Sequence, residues 1–194
     1  SGKFSVIGNT FMACSGGVGV EDLIAKMKDF TARPPGDVST HHDGTGFFTR
    51  VYEEETGVLD GLKEYMRAVP AYGEEFFRAA EARPPAFPPE DLYHLLPAHQ
   101  KEVYDFDEVL ARLVDGSERL EFRPDYGPEV FAGVCKVDGR LVGCIGNRQG
   151  YLGKGYPEYG DYPGIGGKLY RQGLIKMNEF VTLCGRDRLP IVWF

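Results

Sequence analysis

Apolar positions along the chain switch between extended and helical spacing, and the switches outline its elements. Residues 5–13 are apolar and short enough to read as one strand. Past the glycine-rich loop at 15–19, Val20, Leu23, Ile24, Met27 and Phe30 recur at helical spacing, with Glu21 and Asp22 in a first turn where the helix dipole favours anions. Arg33-Pro34-Pro35-Gly36 ends that run. Residues 37–50 read as loop, centred on His41-His42-Asp43-Gly44-Thr45-Gly46. Val58, Leu59, Leu62, Tyr65 and Met66 make one stripe of a helix over 57–68, which Pro70 stops, and a short helix is predicted at 74–81.

Four prolines then fall in the seven residues Arg83-Pro84-Pro85-Ala86-Phe87-Pro88-Pro89. Such a stretch is extended and stiff, so 83–100 reads as a linker between a first unit, 1–82, and a second, 101–194. In the second unit Phe106, Val109, Leu110, Leu113 and Val114 predict a helix that ends at Asp115-Gly116. Residues 118–123 alternate as a strand. Residues 130–137 and 140–145 are apolar strands joined by Asp138-Gly139, the strongest short hairpin signal. A polar loop rich in Gly and Tyr occupies 147–165, and loops of that length are often functional. A helix is predicted over 166–184, with Leu169, Gly173, Met177, Phe180, Val181 and Cys184 on one face, Gly185 as its cap, and a strand at 189–194 after it. The order of these elements predicts an α/β layer unfinished at the last residue.

Composition narrows what such a layer does. The 194 residues carry a net charge of −7, whereas a duplex nucleic-acid binder ordinarily presents a basic surface, so no nucleic-acid partner is expected. No apolar run approaches the roughly 18 residues of a membrane span. The 26 glycines cluster in loops without a fixed period, which favours tight turns and close backbone approaches. Cys14, Cys135, Cys144 and Cys184 form no C-x-x-C pair and lie in apolar stretches, so buried free thiols in a reducing compartment are expected. The chain begins without Met and ends on an apolar strand, which reads as a piece of a longer protein.

The candidate chemistry lies at 146–172. Gly146-Asn147-Arg148-Gln149-Gly150 ends a strand, and Gly164-Ile165-Gly166-Gly167 opens the predicted helix, whose free N–H groups could hold an oxyanion or a phosphate. Lys168, Arg171 and Lys176 sit in its first turns, where cations oppose the dipole and call for an anionic partner. The same residues also read as a solvated basic face or an interface with an acidic neighbour. Gly167-Lys168 is followed by Leu169, which excludes a P-loop. His41-His42-Asp43 has metal-ligand residue types, but adjacent side chains diverge and no further His lies nearby, so a hydrogen-bonded loop is the simpler reading and no metal is expected.

Longer motifs carry more weight. Tyr126-Gly127-Pro128-Glu129, Gly146-Asn147-Arg148-Gln149-Gly150, Gly155-Tyr156-Pro157-Glu158-Tyr159, the run from Gly164 to Gly173, Lys176-Met177-Asn178-Glu179-Phe180 and the run from Arg186 to Trp193 resemble the biotin-dependent acyl-CoA carboxyltransferases, in their decarboxylase branch. Ala32-Arg33-Pro34-Pro35-Gly36, Thr45-Gly46-Phe47-Phe48, Gly57-Val58-Leu59-Asp60-Gly61 and Phe87-Pro88-Pro89-Glu90-Asp91-Leu92-Tyr93 fit the same family, so the resemblance covers nearly the whole chain. It implies an α/β fold of the crotonase-like spiral ββα type: 1–82 as the end of an N-terminal carboxyltransferase domain and 101–194 as the start of a C-terminal one. The implied activity moves the carboxyl group of glutaconyl-CoA to biotin, giving crotonyl-CoA through an enolate held by backbone oxyanion holes. A carboxylase acting on another acyl-CoA and a non-catalytic acyl-CoA-binding module are the alternatives. The implied cofactor is biotin on a separate carrier subunit, with a coenzyme A thioester as substrate and no metal. The implied partners are that carrier, a membrane sodium-pumping subunit and further copies in a homodimer or larger oligomer, in the cytoplasm or at the membrane through those subunits. The resemblance puts the main oxyanion donors outside residues 1–194, so these residues alone are expected to be inactive. Gly16, Gly17, Asn147, Arg148, Gln149, Gly150, Gly166 and Gly167 are then candidates to shape the substrate and biotin cleft, with Lys168 and Arg171 as anion contacts.

Overall fold

The computed structural model describes residues 38, 41–42, 46–69, 78–99, 101–153 and 164–194, together with the backbone of two strands at 3–7 and 10–14. The helix expected around 20–30, Gly16 and Gly17, Cys14 as a side chain, and Gly155 to Tyr159 lie outside the described residues.

Two sheets organise the chain. In the first, β1 (Lys3–Ile7) lies between β2 (Thr10–Cys14) and β3 (Arg50–Tyr52), antiparallel to both. The single strand expected over 5–13 is therefore a pair of strands. Gly8-Asn9 between them is itself a two-residue hairpin signal. Helix α1 (Glu55–Ala68) follows β3 and turns Val58 inward, while Leu59 and Met66 of the predicted stripe remain exposed.

The second sheet has the order β4 (Arg119–Glu121), β5 (Val130–Val137), β6 (Arg140–Asn147), β7 (Ile191–Trp193). β4, β5 and β6 are antiparallel neighbours, and β7 runs parallel to β6. The hairpin turn has Asp138 at φ 50° and Gly139 at φ 75°, the two positive angles a type I′ turn requires. Period-two alternation sorts β5 by face. Phe131 and Cys135 pack with Phe106, Leu110, Val114, Val142 and Cys144 on one side. Val130 and Ala132 pack with Ile145, Phe180 and Cys184 on the other. With both faces covered, β5 and β6 are buried almost end to end, which explains their unbroken apolar runs. Cys135, Cys144 and Cys184 are buried and free.

The first face is covered by α3 (Phe106–Ala111), which follows the short helix α2 (Leu92–Leu95). Asp105 caps α3 with a carboxylate oxygen that accepts the Asp107 N–H at 2.9 Å. The second face is covered by α4 (Arg171–Arg186). This helix starts five residues later than the 166 expected from spacing. Gly164 and Gly167 both have φ 83°, outside the helical range. The Gly166 and Gly167 N–H groups donate to the Gly150 and Arg148 carbonyls at 2.7 and 2.8 Å, so they close a turn with the end of β6.

Residues 78–80 are extended, where a helix was expected across 74–81. The Ala80 N–H donates to the Gly139 carbonyl at 2.7 Å and the Leu141 N–H to the Arg78 carbonyl at 2.9 Å. Pro84 downstream leaves little room for a helix to continue, and the hairpin tip offers unpaired backbone groups instead. Buried Asp115 fastens the same contact: its carboxylate accepts the N–H groups of Gly139 at 2.7 Å, Asp138 at 2.9 Å and Arg83 at 3.3 Å. No helix among the described residues is long and apolar enough to cross a membrane.

Candidate functional site

The structure brings the two predicted segments together. Strand β6 ends at Asn147, the chain turns through Arg148, Gln149 and Gly150, and the segment 164–170 returns beside that turn before α4 begins. Besides the two glycine N–H bonds already given, the Leu152 N–H donates to the Gly164 carbonyl at 2.9 Å. Gly166 is forced by close approach, since a Cβ there would overlap the Arg148 carbonyl. Asn147 ties the two segments with its side-chain amide, which donates to the Lys168 carbonyl at 3.3 Å and the Glu129 carbonyl at 3.4 Å.

Arg148 does not turn its charge outward. Its guanidinium turns inward and forms a fork with each of two carboxylates, Asp107 at 2.6 and 3.0 Å and Glu121 at 2.9 and 2.7 Å. It also donates to the Pro128 carbonyl at 3.1 Å and lies 5.5 Å from the Phe131 ring centre. Burial opposes the charge, but the two carboxylates outweigh it and raise the Arg148 pKa. Asp107 is the counterpart: burial alone would raise its pKa, and the Arg148 hydrogen bonds and charge bring it below the usual value. Arg148 therefore fixes the backbone of the turn from behind.

Lys176 is a second correction. Its ammonium is fully buried, donating to Glu121 at 2.9 Å and to the Val130 carbonyl at 2.7 Å. The anion it calls for belongs to the same chain. Burial lowers its pKa, and the Glu121 carboxylate acts against that fall. The sequence carried a signal for this: Lys176 lies three residues from Gly173 and four from Phe180, on the buried stripe of α4.

The N-terminus of α4 holds an internal carboxyl group as well. Glu129 is fully buried, and its Oε1 accepts the Tyr170 N–H at 3.1 Å, with the Gly173 N–H also directed at the carboxyl group. Its Oε2 has no hydrogen-bond partner among the described residues. Burial raises the Glu129 pKa, and those N–H groups and Lys176 act against the rise. The helix terminus expected to receive an external phosphate or oxyanion is occupied from within. Glu129, Glu121 and Asp107 were missed as site residues; a charged residue opening the apolar run of β5 was the available signal for Glu129.

Among the predicted anion contacts, Lys168 and Arg171 stand exposed on the rim, and Gln149 and Gly150 are half-buried in the turn. His42 pairs with Asp125 at 3.3 Å and holds that carboxyl group below its usual pKa. Among the described residues no group of three or more His, Cys, Asp or Glu side chains could hold a metal ion.

A family model described as the carboxyl transferase domain matches residues 2–194. The chain is 54% identical over 174 residues to glutaconyl-CoA decarboxylase subunit alpha of Acidaminococcus fermentans, covering 88% of this chain and 30% of that protein. It is 26% identical over 154 residues to the biotin-dependent 3-methylcrotonyl-coenzyme A carboxylase beta1 subunit of Mycobacterium tuberculosis, covering 74% of this chain and 26% of that one. Human mitochondrial propionyl-CoA carboxylase beta chain is 24% identical over 169 residues, covering 86% of this chain and 29% of its own. The chain thus spans under a third of the length of each of these relatives. Among solved structures, the transcarboxylase 12S hexamer with methylmalonyl-coenzyme A bound aligns at TM-score 0.64 and 20% identity, covering 90% of this chain and 31% of that one. A single-chain, multi-domain long-chain acyl-CoA carboxylase aligns at TM-score 0.62 and 23% identity, covering 90% and 16%. These likenesses show the fold, a crotonase-type carboxyltransferase α/β layer.

Proposed function

Because this chain belongs to the carboxyl transferase domain family, we propose that it acts within a subunit that transfers the carboxyl group of glutaconyl-CoA to biotin and leaves crotonyl-CoA. The observation that carries this proposal is the 54% identity to the glutaconyl-CoA decarboxylase subunit, against 24–30% for subunits of carboxylases. On this proposal 1–82 ends one crotonase-type domain, 83–100 links it onward, and 101–194 begins a second.

In the reaction the bond between C4 and the carboxyl carbon breaks. The electron pair spreads through the adjacent double bond to the thioester oxygen. C4 then takes up a proton, matching the one lost from the ureido nitrogen that receives the carboxyl group. Charge gathers on oxygen, so the site needs N–H donors aimed at that oxygen, each worth about 3–4 kcal/mol. When bound, biotin supplies the ureido nitrogen that carries the carboxyl group. A neutral ureido ring asks for neutral hydrogen-bonding groups, and the turn at 147–150 presents backbone amides and the Asn147 and Gln149 side chains, with the one charge of the turn folded inward on Arg148. Asn147 donates through Nδ2 to two carbonyls and keeps its Oδ1 to accept a ureido N–H. On this proposal the exposed Lys168 and Arg171 meet phosphate groups of coenzyme A. The main oxyanion donors lie outside residues 1–194 on this proposal, and the carrier protein, a membrane sodium-pumping subunit and further copies of the chain are its partners.

Substrate competition tests the proposal. With the complete gene product and free biotin as acceptor, glutaconyl-CoA should be consumed with kcat/KM at least tenfold above that for carboxylated forms of propionyl-CoA or 3-methylcrotonyl-CoA. A preference for one of the latter would move the protein to the carboxylase branch.

A further inference from the structure

Glu129 touches both of the paired segments. Its carbonyl accepts the Arg148 N–H at 2.8 Å and the Asn147 amide at 3.4 Å, which holds the turn at the end of β6. Its side chain reaches the other segment, where Oε1 accepts the Tyr170 N–H just before α4. Helix α4 has no cap of its own: Tyr170 at the N-cap makes no side-chain cap bond, no acidic residue lies in the first turn, and Arg171 opens the helix with a cation. Orphan N–H groups and a cation at a helix start both demand an anion. Glu129 supplies a buried carboxyl group from the turn that precedes β5. Two glycines make room: a Cβ on Gly173 would overlap Glu129 Oε1, and a Cβ on Gly127 would meet the Gly173 backbone at 2.6 Å.

We propose that Glu129 is a positioning residue for acyl-CoA binding, a tertiary helix cap that sets where Lys168 and Arg171 stand against the turn at 147–150. This rests on the proposal that the face binds an acyl-CoA. Glu129 touches no substrate, being fully buried. It acts through the segment 168–171, whose carbonyl at Lys168 and N–H at Tyr170 it fixes, through Asn147 in the first case and directly in the second. Cations that bind the phosphates of a CoA ester hold ground state and transition state alike. Misplacing them therefore raises KM and leaves kcat alone. Plain loss of folded protein does the opposite, lowering apparent kcat at constant KM.

The test uses the complete gene product with Glu129→Gln, which keeps the shape, and Gly173→Ala, which pushes the carboxyl group aside. Amide hydrogen exchange is followed at Tyr170 and Gly173, and KM and kcat are measured with glutaconyl-CoA and free biotin. The expected result is exchange at least tenfold faster at these amides. The KM for the acyl-CoA should rise about tenfold in both variants, with kcat and the KM for biotin within twofold of wild type. Unchanged exchange overturns the proposal whether or not the enzyme turns over. Unchanged KM in variants of an active wild type, or a fall in kcat at constant KM, also overturns it. A wild type that turns over no acyl-CoA would refute the proposed function, and the exchange measurement would still decide the capping role.

Discussion

Glu129 and Lys176 each place a full or potential charge where water does not reach it, Arg148 buries most of one, and each imposes a measurable condition on stability. Glu129 faces the Tyr170 and Gly173 N–H groups and Lys176, and burial still raises its pKa. A carboxyl group raised in the folded state holds its proton more tightly there than in the unfolded chain. Its contribution is full below the unfolded value of 4.5 and is lost as pH rises through the folded value. Urea unfolding of wild type should therefore show a loss of stability above pH 4.5 that Glu129→Gln removes. Parallel curves for the two proteins would contradict this. Lys176 has the opposite sign: its pKa is lowered, so its contribution grows as pH approaches the unfolded 10.5, well away from the Glu129 window. At Arg148 the prediction is larger. Arg148→Met removes the cation that bridges Asp107 and Glu121, 27% and 14% exposed, leaving only Arg119 at 3.3 Å from Asp107 and Lys176 at 2.9 Å from Glu121, and should cost about 3 kcal/mol by denaturant unfolding. A loss below about 1 kcal/mol would mean that water reaches the network freely. These partners were the least legible part of the sequence. Asp107 and Glu121 lie on different elements, and only the packing of α3 against β4 brings them to one guanidinium, while Glu129 and Glu121 meet beside one ammonium on α4.

Helix α4 shows how local signals were read well in part. The apolar stripe through Gly173, Phe180 and Cys184 was visible because burial repeats at helical spacing. The start was not visible, because Gly166 and Gly167 resemble a helix opening while their N–H groups are committed to the Gly150 and Arg148 carbonyls. Asp138-Gly139 was legible because a two-residue hairpin tolerates few other pairs. Two glycines of α4 give a matched test. Gly173→Ala should destabilise by about 1–3 kcal/mol despite the better helix former, because its methyl group overlaps the Glu129 carboxyl group. Gly185→Ala meets nothing within 4 Å and should stabilise by about 0.5–1 kcal/mol. Equal effects of the two changes in thermal unfolding would show that helix propensity, and not the buried carboxyl group, governs the first.

Across the whole molecule, the proline-rich segment is anchored at its start. Arg83 donates through its backbone to Asp115, the Gly116 N–H donates to the Pro84 carbonyl at 3.1 Å, and the Ala86 N–H donates to Ser117 Oγ at 2.9 Å. Prolines made the irregular run at 81–85 readable, whereas a 3-10 turn at Pro89–Asp91 and helix α2 interrupt the stretch expected to be extended; the dock on the β5–β6 turn depends on one buried carboxylate that no local pattern announces. Asp115→Ala strands three N–H groups and should cost about 3 kcal/mol, with faster proteolysis at residues 78–86 as its signature. Cleavage at the wild-type rate would show that the backbone bonds hold the segment alone. At the other side of the sheet, Val192, Trp193 and Phe194 of the β7 region are 39%, 55% and 49% exposed. An edge strand with exposed aromatics invites pairing, so a sample of residues 1–194 should self-associate in sedimentation velocity, and a clean monomer would contradict that.

The most direct test of the central claim is a transfer assay on the complete gene product, with glutaconyl-CoA as donor and free biotin as acceptor. Crotonyl-CoA should form at a rate that saturates with biotin and vanishes without it. Crotonyl-CoA formed equally fast without biotin, or none formed with it, would contradict the account.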